Sequence, residues 1–138
     1  MTTVVDTDAL LGLFVVQDVH HVVARQIMQE LAKRKAALVI PPTTLSEFAL
    51  LASSRIGMQQ TREAVSTLAS PQFQTFEITP EVTSEAVGLY QKQTSKEESL
   101  FDCFVMVAAK SEQADCIFSF DKGFKRNGFV LIRDFFTM

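Results

Sequence analysis

Asp6, Glu47, Asp102 and Asp121 are carboxylates that arrive from four separate places in the chain. Val4-Val5 leads straight into Asp6, and Leu38-Val39-Ile40 leads through Pro41-Pro42 to Thr44-Leu-Ser-Glu47. Cys116-Ile117-Phe118 leads through Ser119-Phe120 to Asp121, while Asp102 opens the apolar stretch 103–109. Each acid taken singly has a structural use. Thr44-x-x-Glu47 and Ser99-x-x-Asp102 fit the capping box, and Asp6 and Asp121 suit the caps of short helices. Gathered at one place, the acids would raise one another's pKa through burial and like charge, so that a cation is what makes such a cluster reasonable. A donor set made only of oxygen suits Mg2+ or Mn2+, one ion or two, with water completing the shell. An ion of that kind activates water and stabilises charge on a phosphodiester, and a pair about 4 Å apart steadies both the attacking and the leaving oxygen.

The chain around these acids adds less specific signals. Lys122, Lys125 and Arg126 flank the last acid and suit the phosphates adjoining such a phosphodiester, although a solvated turn explains them as well. Lys33-Arg34-Lys35 is what a helix C-terminus ordinarily carries. Leu50 and Leu51 lie off the main apolar face of their helix, which fits either a dimer contact or packing within the monomer.

Other chemistries lack their parts. His20 and His21 are neighbours at a helix start and point about 100° apart, so they do not make an acid–base pair on one phosphate, nor do they complete a Ser-His-Asp or Cys-His set. The five glycines form neither G-x-G-x-x-G nor a Walker loop. Asp6-Thr7-Asp8 after a strand mimics the nucleophile motif of haloacid-dehalogenase-like phosphatases. No convincing downstream lysine and paired aspartates accompany it, and the length leaves no room for a cap domain.

The acids need a scaffold that brings strand ends together. Short β-type runs at 3–5, 38–40, 73–78, 116–118 and 129–132 alternate with helical patterns at 9–14, 20–34, from 45 through 52, 58–69, from Pro80 and 100–113. Thr79-Pro80 is a helix start, with Thr79 as cap and Pro80 at the first helical position. This order predicts an α/β fold, three layers α/β/α around a parallel sheet of about five strands. Ligands bind such sheets at the carboxyl ends of the strands, near the switch in strand order.

The chain has 138 residues, 47% of them hydrophobic and 21% charged, which predicts a single folded domain over 1–138 and excludes a disordered chain. Its net charge of −3 argues against a strong sequence-independent hold on duplex DNA. Without the four acids the remainder is slightly basic, so the acidity is concentrated where the site is expected. Cys103 and Cys116 have no second pair beside them and read as reduced core thiols. The start lacks a basic signal region and no apolar run is long enough to span a membrane, so a cytoplasmic location is expected.

The order and spacing of these markers resemble the PIN domain, the nuclease fold of many VapC-type toxins, from Val4 to about Ile132. The markers are Asp6-Thr7 after an apolar strand, Ser46-Glu47 on the helix after strand two, Asp102 opening the apolar helix, and Ser119-x-Asp121 after strand four. The resemblance implies a Rossmann-like domain that hydrolyses RNA with Mg2+ or Mn2+, held by Asp6, Glu47, Asp102 and Asp121. Thr7 and Ser119 would orient ligands or water, and Asp8, where the family often has a small polar residue, would be an outer acid. It also implies a small toxin endoribonuclease that dimerises and is silenced by an antitoxin bound near the active site. Many members carry a further acid shortly after the last aspartate, where this chain reads Lys122-Gly123-Phe124. That departure keeps two other readings open, a non-catalytic PIN scaffold that binds RNA or a protein partner, and an RNA-processing nuclease that is not a toxin.

Overall fold

Residues 1–138 are all described by the computed structural model. Four strands, β1 (Thr2–Val5), β2 (Ala37–Ile40), β3 (Gln74–Thr75) and β4 (Cys116–Phe118), form one parallel sheet in the order β3-β2-β1-β4. The chain builds outward from β1 through β2 to β3 and then returns to the other side of β1. The order therefore switches between β1 and β4, the place where an open parallel sheet offers a crevice beyond its strand ends.

The strands are short apolar runs because both faces of the sheet are covered. Val5, Leu38, Ile40, Cys116 and Phe118 face one apolar cluster, shared with α1 (Thr7–Phe14), α2 (His21–Lys33) and α3 (Pro42–Leu68). Val4, Val39 and Ile117 face the other, shared with α5 (Leu100–Ser111) and with Ala86 of α4 (Pro80–Gln91). Period-two alternation thus divides each strand between two cores, giving three layers. Short helices α6 (Gly123–Arg126) and α7 (Ile132–Phe135) close the chain. Fully buried Phe48, Phe118, Leu10 and Ile27 contribute roughly 1.5–3 kcal/mol each in burial. Cys103 and Cys116 are free and buried, as expected, and burial raises both thiols above their ordinary pKa.

Several boundaries differ from the sequence-based expectation. The fifth strand at 129–132 is reduced to one parallel bridge, Ile117 with Leu131. Gly128 turns the chain at φ +88° just before it, and Ile132 already begins α7, so too few residues remain for a ladder. The strand at 73–78 shrinks to Gln74–Thr75 at the sheet edge. The two helices expected at 45–52 and 58–69 both form within α3 and are separated as expected at Gly57, whose φ of +83° and ψ of 166° are not helical and suit a residue without a side chain. Thr79 caps α4 as expected, accepting from Val82 N at 3.2 Å.

Candidate active site

Each acid stands at an element end for a local reason. Asp6 follows β1, where its backbone N–H donates to Phe118 O at 3.0 Å and so ties the ends of β1 and β4 together. Asp102 sits in the first turn of α5. There the capping box closes as expected, with Ser99 N donating to Asp102 Oδ2 at 2.8 Å and Asp102 N donating to Ser99 Oγ at 3.2 Å. Asp121 accepts from Gly123 N at 2.8 Å and holds the turn into α6.

Glu47 departs from its expected capping role. Pro42 already occupies the first turn of α3 behind Pro41, so Thr44 lies inside the helix, and its buried hydroxyl has no partner. The Glu47 carboxylate reaches instead to the Thr7 hydroxyl, which donates to Oε1. This contact joins α3 to the first residue of α1, and the Glu47 charge acts on Asp102.

Ser119 is the hub of the strand ends. Its hydroxyl is 2.8 Å from Asp6 Oδ2 and 3.1 Å from Asp8 Oδ1, and it accepts from Asp121 N at 3.0 Å. Asp8 also accepts from Phe120 N at 3.0 Å. The five acids therefore share one neighbourhood, and their charges act on one another. Burial first, and then the charge of Asp8, hold Asp6 well above the usual carboxylate range. Burial pushes Asp8 up to about 6, against the backbone N–H of Phe120 and the Ser119 hydroxyl that favour its charge. Burial also raises Asp102, with Asp121 and Glu47 adding repulsion.

None of the five ion pairs in the molecule involves Asp6, Asp8, Glu47, Asp102 or Asp121. Buried and half-buried carboxylates without a basic partner are what a divalent ion would neutralise, and the donors are all oxygen, so the residues fit Mg2+ or Mn2+. No three of the chain's His, Cys, Asp or Glu side chains are gathered tightly enough to clasp an ion as they stand. Glu47, Asp102 and Asp121 are engaged instead with Thr7, Ser99 and Gly123.

A groove of about 470 Å³, lined by Lys122, Lys125, Arg133 and Asp134, meets the acids only through Ser119 and Phe120, which contact Asp6 and Asp8. His20 stacks on Phe120 in its wall, with ring centroids 4.0 Å apart and planes 7° from parallel. Two of the three expected basic residues thus face this groove. The third, Arg126, pairs with Glu98 at 3.5 Å instead, and Lys125 is itself paired with Asp134 at 3.2 Å. His21 is occupied elsewhere, with Nδ1 2.7 Å from Gly12 O.

Sequence reading missed three residues. Arg133 lies in the short last helix and has no motif around it. His20 stands at the start of α2, as its sequence position suggests, but nothing local shows that it stacks on Phe120. Glu98, immediately before the Ser99 cap, is 8% exposed and lines a tight cleft with Asp102, Asp121 and Asn127. Its position between Ser95 and Ser99 looks like any polar loop, and the only signal in the sequence was its nearness to Asp102.

The family model for the PIN domain matches residues 3–130. The chain belongs to the PIN domain family. Among solved structures, this PIN domain is similar to VapC20 of Mycobacterium tuberculosis, a sarcin-ricin loop-cleaving toxin, at TM-score 0.84 and 19% identity over 94% of this chain and 97% of that one. It is also similar to VapBC2 of Rickettsia felis bound to a DNA fragment from its promoter, at TM-score 0.68 and 17% identity over 95% and 97%. No curated protein matches the chain. At these identities the likeness is one of fold, and it agrees with the three-layer architecture expected from the strand and helix order.

Proposed function

We propose that this PIN domain is a divalent-metal-dependent endoribonuclease, the toxin of a VapBC-type toxin–antitoxin pair. The observation that carries the reading is the set of unpaired acids at the β1–β4 switch, Asp6, Glu47, Asp102 and Asp121, met through Ser119 by a groove lined by Lys122, Lys125 and Arg133. Membership of the PIN family and the likeness of fold to a toxin that cleaves the sarcin-ricin loop support it.

Asp6, Asp102, Asp121 and Glu47 would hold one or two Mg2+ or Mn2+ ions. A hard cation there supplies activation of water and neutralisation of the charge that builds on the phosphate. The chain's own residues prepare that chemistry. Thr7 fixes Glu47, Ser119 fixes Asp6 and shares its hydroxyl with Asp8, and the Ser99 cap fixes Asp102. Lys122 and Arg133 hold the phosphates of the strand next to the one that is cut, and the His20–Phe120 stack offers an aromatic wall to an unpaired base. Hydrolysis in line with the 3′-oxygen leaves a 5′-phosphate and a 3′-hydroxyl.

The same reading proposes an antitoxin protein as partner, a homodimer in solution and a cytoplasmic location. No helix is long and apolar enough to cross a membrane. Total cellular RNA treated with the purified protein and Mn2+ tests the activity by mapping of new 5′-phosphate ends. Ends at a few sites, absent with EDTA and with Asp102→Asn, are expected. Undiminished metal-dependent cleavage by a folded Asp102→Asn protein would remove Asp102 from the site. A wild type that binds Mn2+ and RNA without making new ends would favour the scaffold reading.

A further inference from the structure

Arg126 lies near Asp121 but does not pair with it. A Cβ placed on Gly123 would lie 3.1 Å from Asp121 Oδ1, 3.4 Å from Arg126 Nη2 and 3.4 Å from Glu98 Oε1. The guanidinium and the two carboxylates therefore surround one point, and residue 123 contributes no side chain to separate them. Of the two acids within reach, Arg126 pairs with Glu98, at 3.5 Å.

Glu98 is built to win that competition. Its side chain is largely buried, whereas that of Arg126 is 57% exposed and free to swing. Asn127 Nδ2 holds the second Glu98 oxygen at 3.3 Å and also donates to Gly123 O at 2.8 Å, so the turn that follows Asp121 orients Glu98 as well. A guanidinium released from Glu98 would find Asp121 as its nearest other carboxylate. A bidentate Arg–carboxylate pair there would occupy the oxygens that a divalent ion needs.

We infer that Glu98 is a positioning residue that sequesters Arg126, keeping the Asp121 carboxylate open to a divalent cation. The inference rests on the metal-dependent reading above and assigns Glu98 a role through Arg126 rather than as a ligand. It also gives the Gly123 position a meaning. Without a side chain there, the separation of Arg126 from Asp121 depends on Glu98.

The test is Mn2+ affinity, read from the electron paramagnetic resonance signal of free Mn2+ in titrations of the full chain without RNA. Glu98→Gln keeps an acceptor for Asn127 but loses the charge that holds Arg126, and it is expected to weaken Mn2+ binding by about tenfold, the scale on which residues behind metal ligands act. Arg126→Gln alone leaves affinity at the wild-type level, because Glu98 already holds the guanidinium, and a gain that matches the Glu98→Gln loss would mean simple addition of charges and overturn the inference. The double variant Glu98→Gln, Arg126→Gln returns to the wild-type level, because the competing cation is gone. A purely structural role for Glu98, or a role as a ligand, predicts no such rescue. Unchanged affinity in Glu98→Gln, or a double variant as weak as the single one, overturns the inference while leaving the metal centre intact. A folded wild type that binds no Mn2+ overturns the metal-dependent reading and this inference with it. Should Glu98→Gln not fold, Glu98→Asp takes its place. Its shorter side chain loosens Arg126 and predicts a smaller loss, again removed by Arg126→Gln.

Discussion

The Ser119 hydroxyl stands 2.8 Å from Asp6 Oδ2, across 113 residues of sequence, and within 3.1 Å of an oxygen of Asp8. A hydroxyl has one proton to donate, so Ser119 can satisfy only one of the two carboxylates at a time. Asp8 has a second donor in Phe120 N, whereas Asp6 is the more deeply buried of the two. The switch in strand order makes this possible, because β1 and β4 are neighbours whose ends deliver Asp6 and Ser119 side by side.

Ser119→Ala is therefore expected to act chiefly through Asp6. Removing the donor leaves a buried carboxylate that is harder to ionise, and it raises an already high pKa further. Mn2+ affinity at neutral pH should fall by about tenfold or more, and the loss should shrink as pH rises. Titrations of Mn2+ at two pH values check this. Equal affinity of variant and wild type at neutral pH would show that the hydroxyl does not prepare Asp6.

The raised acids also set how stability responds to pH. Asp6, Asp8 and Asp102 all titrate higher in the folded chain than in the unfolded one. The folded state then binds more protons, so stability falls as pH rises through the window. For Asp8 that window runs from its ordinary 3.8 to about 6. In EDTA, the melting temperature should decline across it, and Asp8→Asn should flatten the decline. Saturating Mn2+ should reverse the slope, because ionised acids bind the ion and protonated ones do not. A metal-free melting temperature that climbs over this range, with no contribution from Asp8, would contradict the environment described for these carboxylates.

What was legible in the sequence was local. The Ser99–Asp102 capping box spans three residues and closes as its spacing requires. The alternation of apolar runs with helices placed Asp6 and Asp121 at one edge, because parallel strands end there, whereas the adjacency of β1 and β4 came only from the structure. Thr44-x-x-Glu47 has the same spacing and misled, since Pro42 starts α3 earlier and Thr7, 40 residues away, claims Glu47. Glu98 was invisible for a similar reason. Its partner Asn127 lies 29 residues along, on a turn whose path no local pattern records. The fifth strand failed at Gly128, where the backbone turns before a ladder can form.

Nucleic-acid affinity should depend on Lys122 and Arg133 more than on the other cations near the acids. Both line the groove, and neither takes part in an ion pair. Lys125 is shared with Asp134, and Arg126 is held by Glu98. Each lost phosphate contact on a single strand reduces the salt slope of binding by about 0.7. Lys122→Ala and Arg133→Ala, measured with single-stranded RNA in EDTA, should each lower it by that amount. Lys125→Ala should change it less. Slopes that fall equally in all three variants would mean that the strand opens the Lys125–Asp134 pair on binding.

The remaining apolar surface bears on oligomeric state. Leu50 and Met58 are 72% and 56% exposed, on either side of the Gly57 bend in α3. With Ala49 and Val65 they line a second, mostly apolar groove of about 550 Å³. Leu51, the other residue off the main face of this helix, is 42% exposed, so packing within the monomer does not account for either leucine. Exposed apolar side chains clustered on one face are costly to leave in water and favour a partner surface. If that partner is a second copy, Leu50→Glu places two like charges across a two-fold contact and should convert the dimer to monomer. The melting temperature of the monomer should change little, because Leu50 packs against nothing in its own core. Sedimentation velocity at micromolar concentration reads the outcome. A wild type that is already monomeric, or a Leu50→Glu protein that remains dimeric, would place the dimer contact elsewhere or leave this face to the antitoxin.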